Sequence, residues 1–317
     1  MGQTASSFSQ FFPAKPTFTA ADVPDLTGKI AIVTGGNAGI GKETVLLTRN
    51  AKVYLAARSK TKAEVAIQDL HAGTGKTALF LELDLSDLAS IKRSTQEFLS
   101  KETELHLLFN NAGVMWPPID QVTANGYDLQ FGTNVLGHFY FTELLMPALL
   151  AGATSSSDKK ARVVTTSSFG NYLAKGINWD SLKDGPARRK VDTQALYNQS
   201  KLGNVLIARE VAKRYGDKGI VSTSVNPGNI RTELTRYVKT PGVLPYFILV
   251  QNMILYPVHY GAITQLYAGT SPQTLDSNGK FFVPWAREAQ PNAKALDSDL
   301  GQRLWSWCEE QVKVHVG

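Results

Sequence analysis

Short runs of β-branched and aliphatic residues alternate with longer helical patterns from Lys29 onward. The strand-like runs are Ile30–Thr34, Lys52–Ala56, Ala78–Leu83, Leu105–Phe109, Arg162–Thr166, Ile220–Val225 and Lys280–Val283. Helical patterns lie between them, most clearly over Leu85–Leu99, Gly126–Leu150 and Thr193–Tyr215. Because parallel neighbouring strands need crossover helices, this alternation predicts an α/β fold with a doubly wound parallel sheet and helices on both faces.

The chain is expected to form one domain preceded by a short arm. Residues 1–25 are rich in Ser, Phe and Pro, which is typical of an N-terminal arm rather than of a core element. No linker or solenoid-type repeat divides the remainder, so residues 26–317 are expected to be a single domain. Within it we expect a substrate-loop region at about 229–260 and a C-terminal helical tail around Leu304–Cys308.

Composition and charge exclude several classes of protein. Of the 317 residues, 43% are hydrophobic and 19% are charged, which is the balance of a globular protein rather than of a disordered or fibrous one. The net charge of +6 is spread along the chain, and the longest basic cluster is only Arg188–Lys190. We therefore expect no nucleic-acid partner. The five histidines are scattered without metal-ligand spacing, so no metal site is predicted.

The sequence favours a cytoplasmic protein, with a peripheral position on a membrane as an open alternative. Its single cysteine, Cys308, excludes a disulfide within the chain. Met1–Thr19 has no basic start followed by an apolar run, and the most apolar stretch, Leu244–Val258, is interrupted by polar residues. The first residues, Met1–Ser6, fit the myristoylation pattern at Gly2 but also suit an unmodified terminus. A single acyl chain would bind a membrane only marginally.

A glycine-rich turn follows the first predicted strand and opens a helix. Its sequence is Thr34-Gly35-Gly36-Asn37-Ala38-Gly39-Ile40-Gly41, with the glycines spaced T-G-x-x-x-G-x-G. Glycines there allow a tight strand-to-helix turn and let the backbone approach a pyrophosphate, while the helix N-terminus offers free N–H groups. The position after a strand favours a Rossmann-type dinucleotide site over a purely structural loop.

With this turn, several further motifs give the chain a strong resemblance to the short-chain dehydrogenase/reductase family. The motifs, each after a predicted strand or within a predicted helix, are Asp84-Leu85, Asn110-Asn111-Ala112-Gly113, Gly132-Thr133-Asn134-Val135, Ser167-Ser168, Tyr197-Asn198-Gln199-Ser200-Lys201 and Pro227-Gly228. The resemblance covers roughly Leu26 to Val283. The run Asn134–Phe139 and the long interval between Ser168 and Tyr197 resemble the retinol-dehydrogenase-like branch and its fungal relatives.

The end of the second strand indicates NADP(H) rather than NAD(H) as the cofactor. An NAD enzyme of this fold usually has an acid there for the ribose 2′-hydroxyl, but this chain has Ala57 followed by Arg58. A guanidinium can bind a 2′-phosphate with forked, charge-assisted hydrogen bonds. The predicted first helix, Gly41 to about Asn50, is short for the family, which could shift Arg58, weaken cofactor binding or be absorbed by the loop.

The family resemblance implies the remaining cofactor contacts. Asp84 and Leu85 would border the adenine, and Asn111, Ala112 and Gly113 the adenosine ribose. Pro227, Gly228 and Thr232 would lie along the nicotinamide end. Together with the turn, the expected cofactor-binding residues are Gly35, Asn37, Gly39, Ile40, Gly41, Arg58, Asp84, Leu85, Asn111, Ala112, Gly113, Tyr197, Lys201, Pro227, Gly228 and Thr232.

Tyr197 and Lys201 are the candidate acid–base pair, because four residues apart on a helix they share one face. A free tyrosine has a pKa near ~10, and a nearby ammonium would lower the pKa toward a useful range. Ser168, preferred over Ser167 from its place after the strand, could hydrogen-bond the reacting oxygen. By resemblance, Asn134 holds the water that passes protons onward from Lys201, and Tyr197 is the acid in reduction and the base in oxidation.

The segment after Pro227-Gly228 predicts a hydrophobic alcohol, ketone or aldehyde as substrate. In the family this segment closes over the substrate, and here its apolar residues are Leu234, Tyr237, Val243, Leu244, Tyr246, Phe247, Ile248, Leu249, Met253, Ile254 and Leu255. A membrane-contacting or dimer-forming helix is the alternative. Family members often form homodimers through the two long helices, which makes a second copy another expected partner.

Three functions remain open at the level of sequence. The first is an NADP(H)-dependent oxidoreductase that uses Asn134, Ser168, Tyr197 and Lys201. The second is a catalytically silent nucleotide-binding sensor or scaffold, which would not need these four residues. The third is an epimerase that returns the hydride to its substrate and consumes no cofactor.

Overall fold

The computed structural model describes residues 9–47, 49–232, 234 and 255–313. Its strands form one sheet in the order β3-β2-β1-β4-β5-β6-β7-β8, and every neighbouring pair is parallel except β7 with β8. The strands are β1 Ile30–Thr34, β2 Lys52–Ala57, β3 Leu79–Glu82, β4 Leu107–Asn110, β5 Ala161–Thr166, β6 Ile220–Val225, β7 Phe281–Val283 and β8 Arg287–Ala289.

Helices cover both faces of this sheet because residues along each strand alternate between two apolar cores. Ile32 faces the core shared with α3, α4 and α7, whereas its neighbour Val33 faces the core shared with α1, α2 and α8. The helices are α1 Gly39–Leu47, α2 Lys60–Thr74, α3 Leu88–Lys101, α4 Leu129–Ser155, α5 Gly170–Leu173, α6 Pro186–Arg189, α7 Thr193–Tyr215, α8 Val258–Thr270 and α9 Ser298–Lys313. The fold is thus a single α/β domain of the Rossmann type.

The predicted fold class is confirmed, and the predicted strands match the observed ones within two residues at each end. The segment Ile220–Val225 and the helix Thr193–Tyr215 have the predicted bounds. Strand β8 was not predicted, because an edge strand of three residues is too short for a period-two pattern. A π-helical turn at Gly132–Gly137 inside α4 was also not predicted.

Helix α4 is apolar because it lies inside the protein. It is long and apolar enough to cross a membrane by composition, but 72% of its most apolar window is buried. It packs against the sheet, and α9 lies over it, with the rings of Trp305 and Phe139 4.9 Å apart. The α9 side chains Leu304 and Cys308 are fully buried in the same core.

The described part of the N-terminal arm packs on the domain. Phe18 and Val23 are buried in the core beside α8, where Phe18 contacts the ring of Tyr267 at 5.2 Å. Closer to the terminus, Gln10 accepts a hydrogen bond from Asn226 at the end of β6. Apolar side chains of the arm thus extend the core that lies beneath α1 and α8.

Candidate active site

A cavity of about 640 Å³ lies at the carboxyl ends of the parallel strands. It is at the point where the strand order reverses, between β1 and β4. All predicted cofactor residues line this cavity. They are Gly35, Asn37, Gly39, Ile40, Gly41, Arg58, Asp84, Leu85, Asn111, Ala112, Gly113, Tyr197, Lys201, Pro227, Gly228 and Thr232. Ser168 lines it as well, whereas Asn134 is fully buried behind the wall.

The glycine turn leaves no room for side chains where it meets the loop after β4. Gly35 has a φ of +68°, and a Cβ there would lie 3.1 Å from the Cα of Ala112. A Cβ on Gly41 would lie 2.3 Å from the carbonyl oxygen of Gly35 and 2.6 Å from Asn111 Nδ2. The backbone can therefore approach a ligand closely at the N-terminus of α1, where free N–H groups suit a pyrophosphate.

The far end of the cavity is cationic at the start of α2. Arg58 and Lys62 line it, and the first turn of α2 contains no acidic residue. Ser59 caps the helix, since its Oγ accepts a hydrogen bond from the main-chain nitrogen of Lys62 at 3.4 Å. The residues present therefore fit an anion at a helix N-terminus. Sequence analysis missed Ser59 and Lys62, although a serine before a helical run is an N-cap signal.

The short first helix does not displace Arg58 from the cavity. Helix α1 ends at Leu47 and β2 begins at Lys52, and the strand pairs with β1 in register from Ile30 and Lys52 to Thr34 and Ala56. The loop between α1 and β2 thus absorbs the difference in length.

Helix α7 places Tyr197 and Lys201 side by side in the cavity wall. The two side chains are one turn apart and are only 6% and 4% exposed. Lys201 Nζ lies 5.7 Å from the centroid of the Tyr197 ring and donates to the main-chain carbonyl of Thr166 at 3.0 Å. This bond anchors the ammonium group to the end of β5.

The two serines after β5 point in different directions. Ser167 Oγ donates to the main-chain carbonyl of Lys201 at 2.7 Å, so its hydroxyl is engaged with the backbone of α7. Ser168 Oγ accepts from the main-chain nitrogen of Gly170 at 3.1 Å, and it lies close enough to Tyr197 to lower the pKa of that side chain. The geometry therefore favours Ser168 as the serine that faces the reacting group.

Burial dominates the pKa values of this pair. It raises the pKa of Tyr197 to about 12, although the hydrogen bond with Ser168 lowers it in part. Burial also lowers the pKa of Lys201 to about 7. The expected lowering of the tyrosine pKa by a neighbouring ammonium is therefore wrong: burial raises this pKa, and Tyr197 keeps its proton at neutral pH. A phenol in this state can donate a proton to an oxygen in the cavity.

Asn134 lies in the π-helical turn of α4, with its carboxamide held by the loop after β4. Its Oδ1 accepts from the main-chain nitrogen of Val114 at 2.9 Å, and its Nδ2 donates to the Val114 carbonyl and to Ser200 Oγ, each at 3.0 Å. Ser200 directly precedes Lys201, so Asn134 is bonded to the same stretch of α7 that carries the candidate acid–base pair.

Few residues of the expected substrate region fall within the described chain. Leu234 and Leu255 line the cavity together with Met115, which sequence analysis did not single out. Thr232 packs on the glycine turn, since a Cβ on Gly39 would lie 3.4 Å from its Cγ2. The described residues 227–232 thus run along the cavity to the glycine turn. The other apolar residues predicted to contact substrate (Tyr237, Val243, Leu244, Tyr246, Phe247, Ile248, Leu249, Met253 and Ile254) lie outside the described residues.

A doubly wound sheet with a glycine turn and a neighbouring Tyr–Lys pair defines a class of nucleotide-dependent α/β oxidoreductases. Residues 29–178 match the family described as short chain dehydrogenase. A short-chain dehydrogenase/reductase of Armillaria gallica is 54% identical over 315 residues, covering 99% of both chains. Another from Phomopsis amygdali is 40% identical, covering 98% of this chain and 97% of its own. This chain belongs to the short-chain dehydrogenase/reductase family, among relatives from fungi.

The family relationship extends to solved structures. The crystal structure of an uncharacterised protein from Mycobacterium paratuberculosis superposes with a TM-score of 0.72 at 28% identity. The match covers 93% of this chain and 97% of that one. Nearly the whole fold described above is therefore shared across a large evolutionary distance.

Proposed function

We propose that this chain is an NADP(H)-dependent oxidoreductase that interconverts a hydrophobic alcohol and its ketone or aldehyde, with Tyr197 as the acid or base. The observation that carries this proposal is that Ser168, Tyr197 and Lys201 line the same cavity as the glycine turn. A substrate oxygen beside the tyrosine would thus lie in the same space as a dinucleotide bound at the turn.

The proposed roles follow from the chemistry of each side chain. NADPH, when bound, supplies the hydride to the carbonyl carbon. Tyr197 donates its proton to the carbonyl oxygen, and Ser168 stabilises the charge that develops there by a hydrogen bond. Lys201 restores the proton to Tyr197, and Asn134 supports the path to solvent. Oxidation of the alcohol reverses each step, so that Tyr197 accepts the proton.

The preference for NADP(H) is supported by the cationic end of the cavity. Arg58 and Lys62 would bind the 2′-phosphate, and the N-terminus of α2 adds main-chain N–H groups. Ala57 occupies the position where a carboxylate would repel the phosphate. The cofactor residues named above would bind the rest of the dinucleotide.

The substrate class is supported by the apolar residues at the opposite end. Val114, Met115, Leu234 and Leu255 line the cavity there and can exclude water from an apolar substrate. A homodimer through α4 and α7, a weak membrane association and a cytoplasmic location remain predictions. Helix α9 already covers part of α4 and α7, and Gly2, the candidate myristoylation site, lies outside the described residues.

The experiment that tests this function compares binding of NADPH and NADH by fluorescence in wild type and in Arg58→Ala. We expect wild type to prefer NADPH, and Arg58→Ala to weaken NADPH binding by about tenfold with little effect on NADH. Lys60→Ala is the matched control, because Lys60 begins the same helix without lining the cavity. A screen of hydrophobic carbonyl compounds with NADPH then measures turnover.

Two results would contradict the proposal. Equal binding of NADPH and NADH by wild type would contradict the assignment of Arg58 to the 2′-phosphate. Binding of NADPH together with identical behaviour of wild type and Tyr197→Phe would favour a silent sensor or scaffold.

A further inference from the structure

A buried glutamine of the N-terminal arm contacts the domain close to the cavity, although the family match begins only at residue 29. Gln10 is 4% exposed, which is uncommon for a glutamine. Its Oε1 accepts a hydrogen bond from Asn226 Nδ2 at 2.9 Å. The arm therefore has a defined position against the end of β6, and the function proposed above gives this contact no role.

The Asn226 carboxamide connects this glutamine to a turn that lines the cavity. While Nδ2 donates to Gln10, Oδ1 accepts from the main-chain nitrogen of Gly228 at 3.1 Å. Asn226 is 3% exposed, so an Nδ2 group without its acceptor would be a buried donor that lacks a partner. Gln10 thus holds the carboxamide in the orientation that supports the Gly228 amide, and both Pro227 and Gly228 line the cavity.

A second series of contacts joins the arm to the same glycine from behind. Gly228 has a φ of +89°, and a Cβ there would lie 2.9 Å from Pro284 Cγ and 3.2 Å from the ring of Trp285. Arg287 Nε donates to the main-chain carbonyl of Pro284, and Arg287 Nη2 donates to that of Ser9, each at 2.7 Å. The arm is therefore bonded both to the turn itself and to the wall on which the turn packs.

The arm also packs on the loop that follows β5. The rings of Phe11 and Phe169 lie edge to face with their centroids 4.8 Å apart. Phe169 directly follows Ser168, which lines the cavity. Residues 9–11 thus contact the chain segments after β5 and after β6, which border the same end of the cavity.

Anchoring of the arm does not by itself account for a glutamine at this position. Phe18 already anchors the arm by apolar burial, since it is 7% exposed and its ring lies 5.2 Å from that of Tyr267. Burial of a carboxamide costs free energy unless it is hydrogen-bonded, so an apolar side chain would anchor residue 10 at least as well. What a carboxamide adds is a directed hydrogen bond, and this one is directed at Asn226.

We propose that Gln10 is a positioning residue that acts through Asn226 to fix the Pro227-Gly228 turn and thereby supports binding of the nicotinamide half of the cofactor. This inference rests on the proposed function for the identity of the ligand. The effect of Gln10 on the turn can be measured without any ligand. The N-terminal arm is then a part of the active site and not only an extension of the core.

The binding test compares wild type with Gln10→Met, which keeps the length of the side chain and removes the accepting oxygen. NADPH and 2′,5′-ADP are titrated in parallel, because 2′,5′-ADP carries the adenosine and the 2′-phosphate but no nicotinamide. We expect the Kd of NADPH to rise about fivefold and the Kd of 2′,5′-ADP to stay within about twofold. Equal changes in both Kd values, or a change in neither, would overturn the proposal.

Phe18→Leu is the matched control, because it loosens the same arm at a point in the core beneath α8. We expect it to lower Tm at least as much as Gln10→Met does, since it removes buried apolar contacts. The ratio of the two Kd values should nevertheless remain that of wild type. If Phe18→Leu changed this ratio as much as Gln10→Met, general loosening of the arm would explain the effect and the proposal would be wrong.

Hydrogen–deuterium exchange of the free protein tests the turn without a ligand. In peptides that cover residues 226–232, Gln10→Met should exchange about fivefold faster than wild type, because the Gly228 amide loses its fixed acceptor, whereas Phe18→Leu should not. Unchanged exchange in Gln10→Met would overturn the proposal. Absence of NADPH binding by wild type would contradict the proposed function, whereas NADPH binding by wild type beside unchanged exchange in Gln10→Met would contradict only the role of Gln10.

Discussion

The two ends of the cavity hold their polar side chains in opposite ways. At the start of α2, Arg58 is exposed and forms no ion pair with any described carboxylate, and Lys62 is exposed as well. Near the carboxyl ends of β4 and β5, Tyr197, Lys201 and Asn134 are buried. Lys201 donates to the Thr166 carbonyl, and Asn134 donates to Ser200 on the same helix as Lys201. Water screens charges at the first end, whereas burial shifts pKa values and couples residues at the second.

This contrast has consequences for mutation. A cation at the exposed end can be removed with little effect on its neighbours, so it can determine cofactor preference almost independently of the fold. A change at the buried end alters several hydrogen bonds at once, so its effects should be large and not additive. The predictions below test that difference, beginning with the largest expected effect.

Tyr197→Phe should abolish proton transfer while leaving the cavity unchanged. We expect kcat to fall by about a thousandfold or more, with the Kd of NADPH within about twofold, because only the hydroxyl is removed. Steady-state kinetics and fluorescence titration measure the two quantities. Tyr267→Phe is the control and should retain activity. It removes an exposed α8 hydroxyl that donates to Gln273, just after that helix.

His138→Asn should reduce the sensitivity of stability to acid. Because the pKa of His138 is about 4 in the folded protein and near 6.5 when unfolded, the unfolded chain binds more protons between these pH values. Acidification from pH 6.5 to 4 therefore lowers the free energy of unfolding, with a contribution on the order of 3 kcal/mol from this residue. Lys201 faces the ring and adds to the lowering of its pKa.

Urea unfolding at several pH values measures this effect. The free energy of unfolding should decrease less steeply for His138→Asn than for wild type over this range. Parallel decreases for the two proteins would contradict both the burial of a neutral ring and its role in the acid response.

Ser168→Ala should lower kcat by about a hundredfold, because it removes a donor to the charge that develops on the substrate oxygen. Ser167→Ala is the informative comparison, because its hydroxyl bonds only the Lys201 backbone in the described chain and should cost less. Measuring kcat for both variants decides between the two serines. A larger loss in Ser167→Ala would reverse the assignment.

Lys62→Ala should have the smallest effect, raising the Kd of NADPH by about threefold at low salt. Because the side chain is exposed, this difference should disappear at high ionic strength, whereas the effect of Tyr197→Phe on kcat should not. Titrations at low and high salt measure it. A salt-independent effect of Lys62→Ala would mean that the two ends of the cavity do not differ as described.

Most of the fold and of the cavity wall could be predicted because their signals are local. Apolar runs of five or six residues specify β1, β2, β5 and β6, and the glycine spacing specifies the turn after β1. The strand ends then place Arg58 and Ser168 without further information, since parallel strands present their carboxyl ends at one edge. The missed residues Lys62 and Met115 carry no motif, and they reach the cavity only through the geometry of α2 and of the loop after β4.

The sequence by itself determined the order of the elements, the glycine turn and the Tyr197–Lys201 spacing, because each depends on residues close together in the chain. Only the tertiary structure decided what depends on distant segments. It decided that burial governs the pKa values of Tyr197 and Lys201, that the Ser167 hydroxyl bonds the backbone of α7, and that His138 and Asn204 meet at Asn134. Dielectric environment and hydrogen-bond direction arise from packing between elements, and no local pattern encodes them.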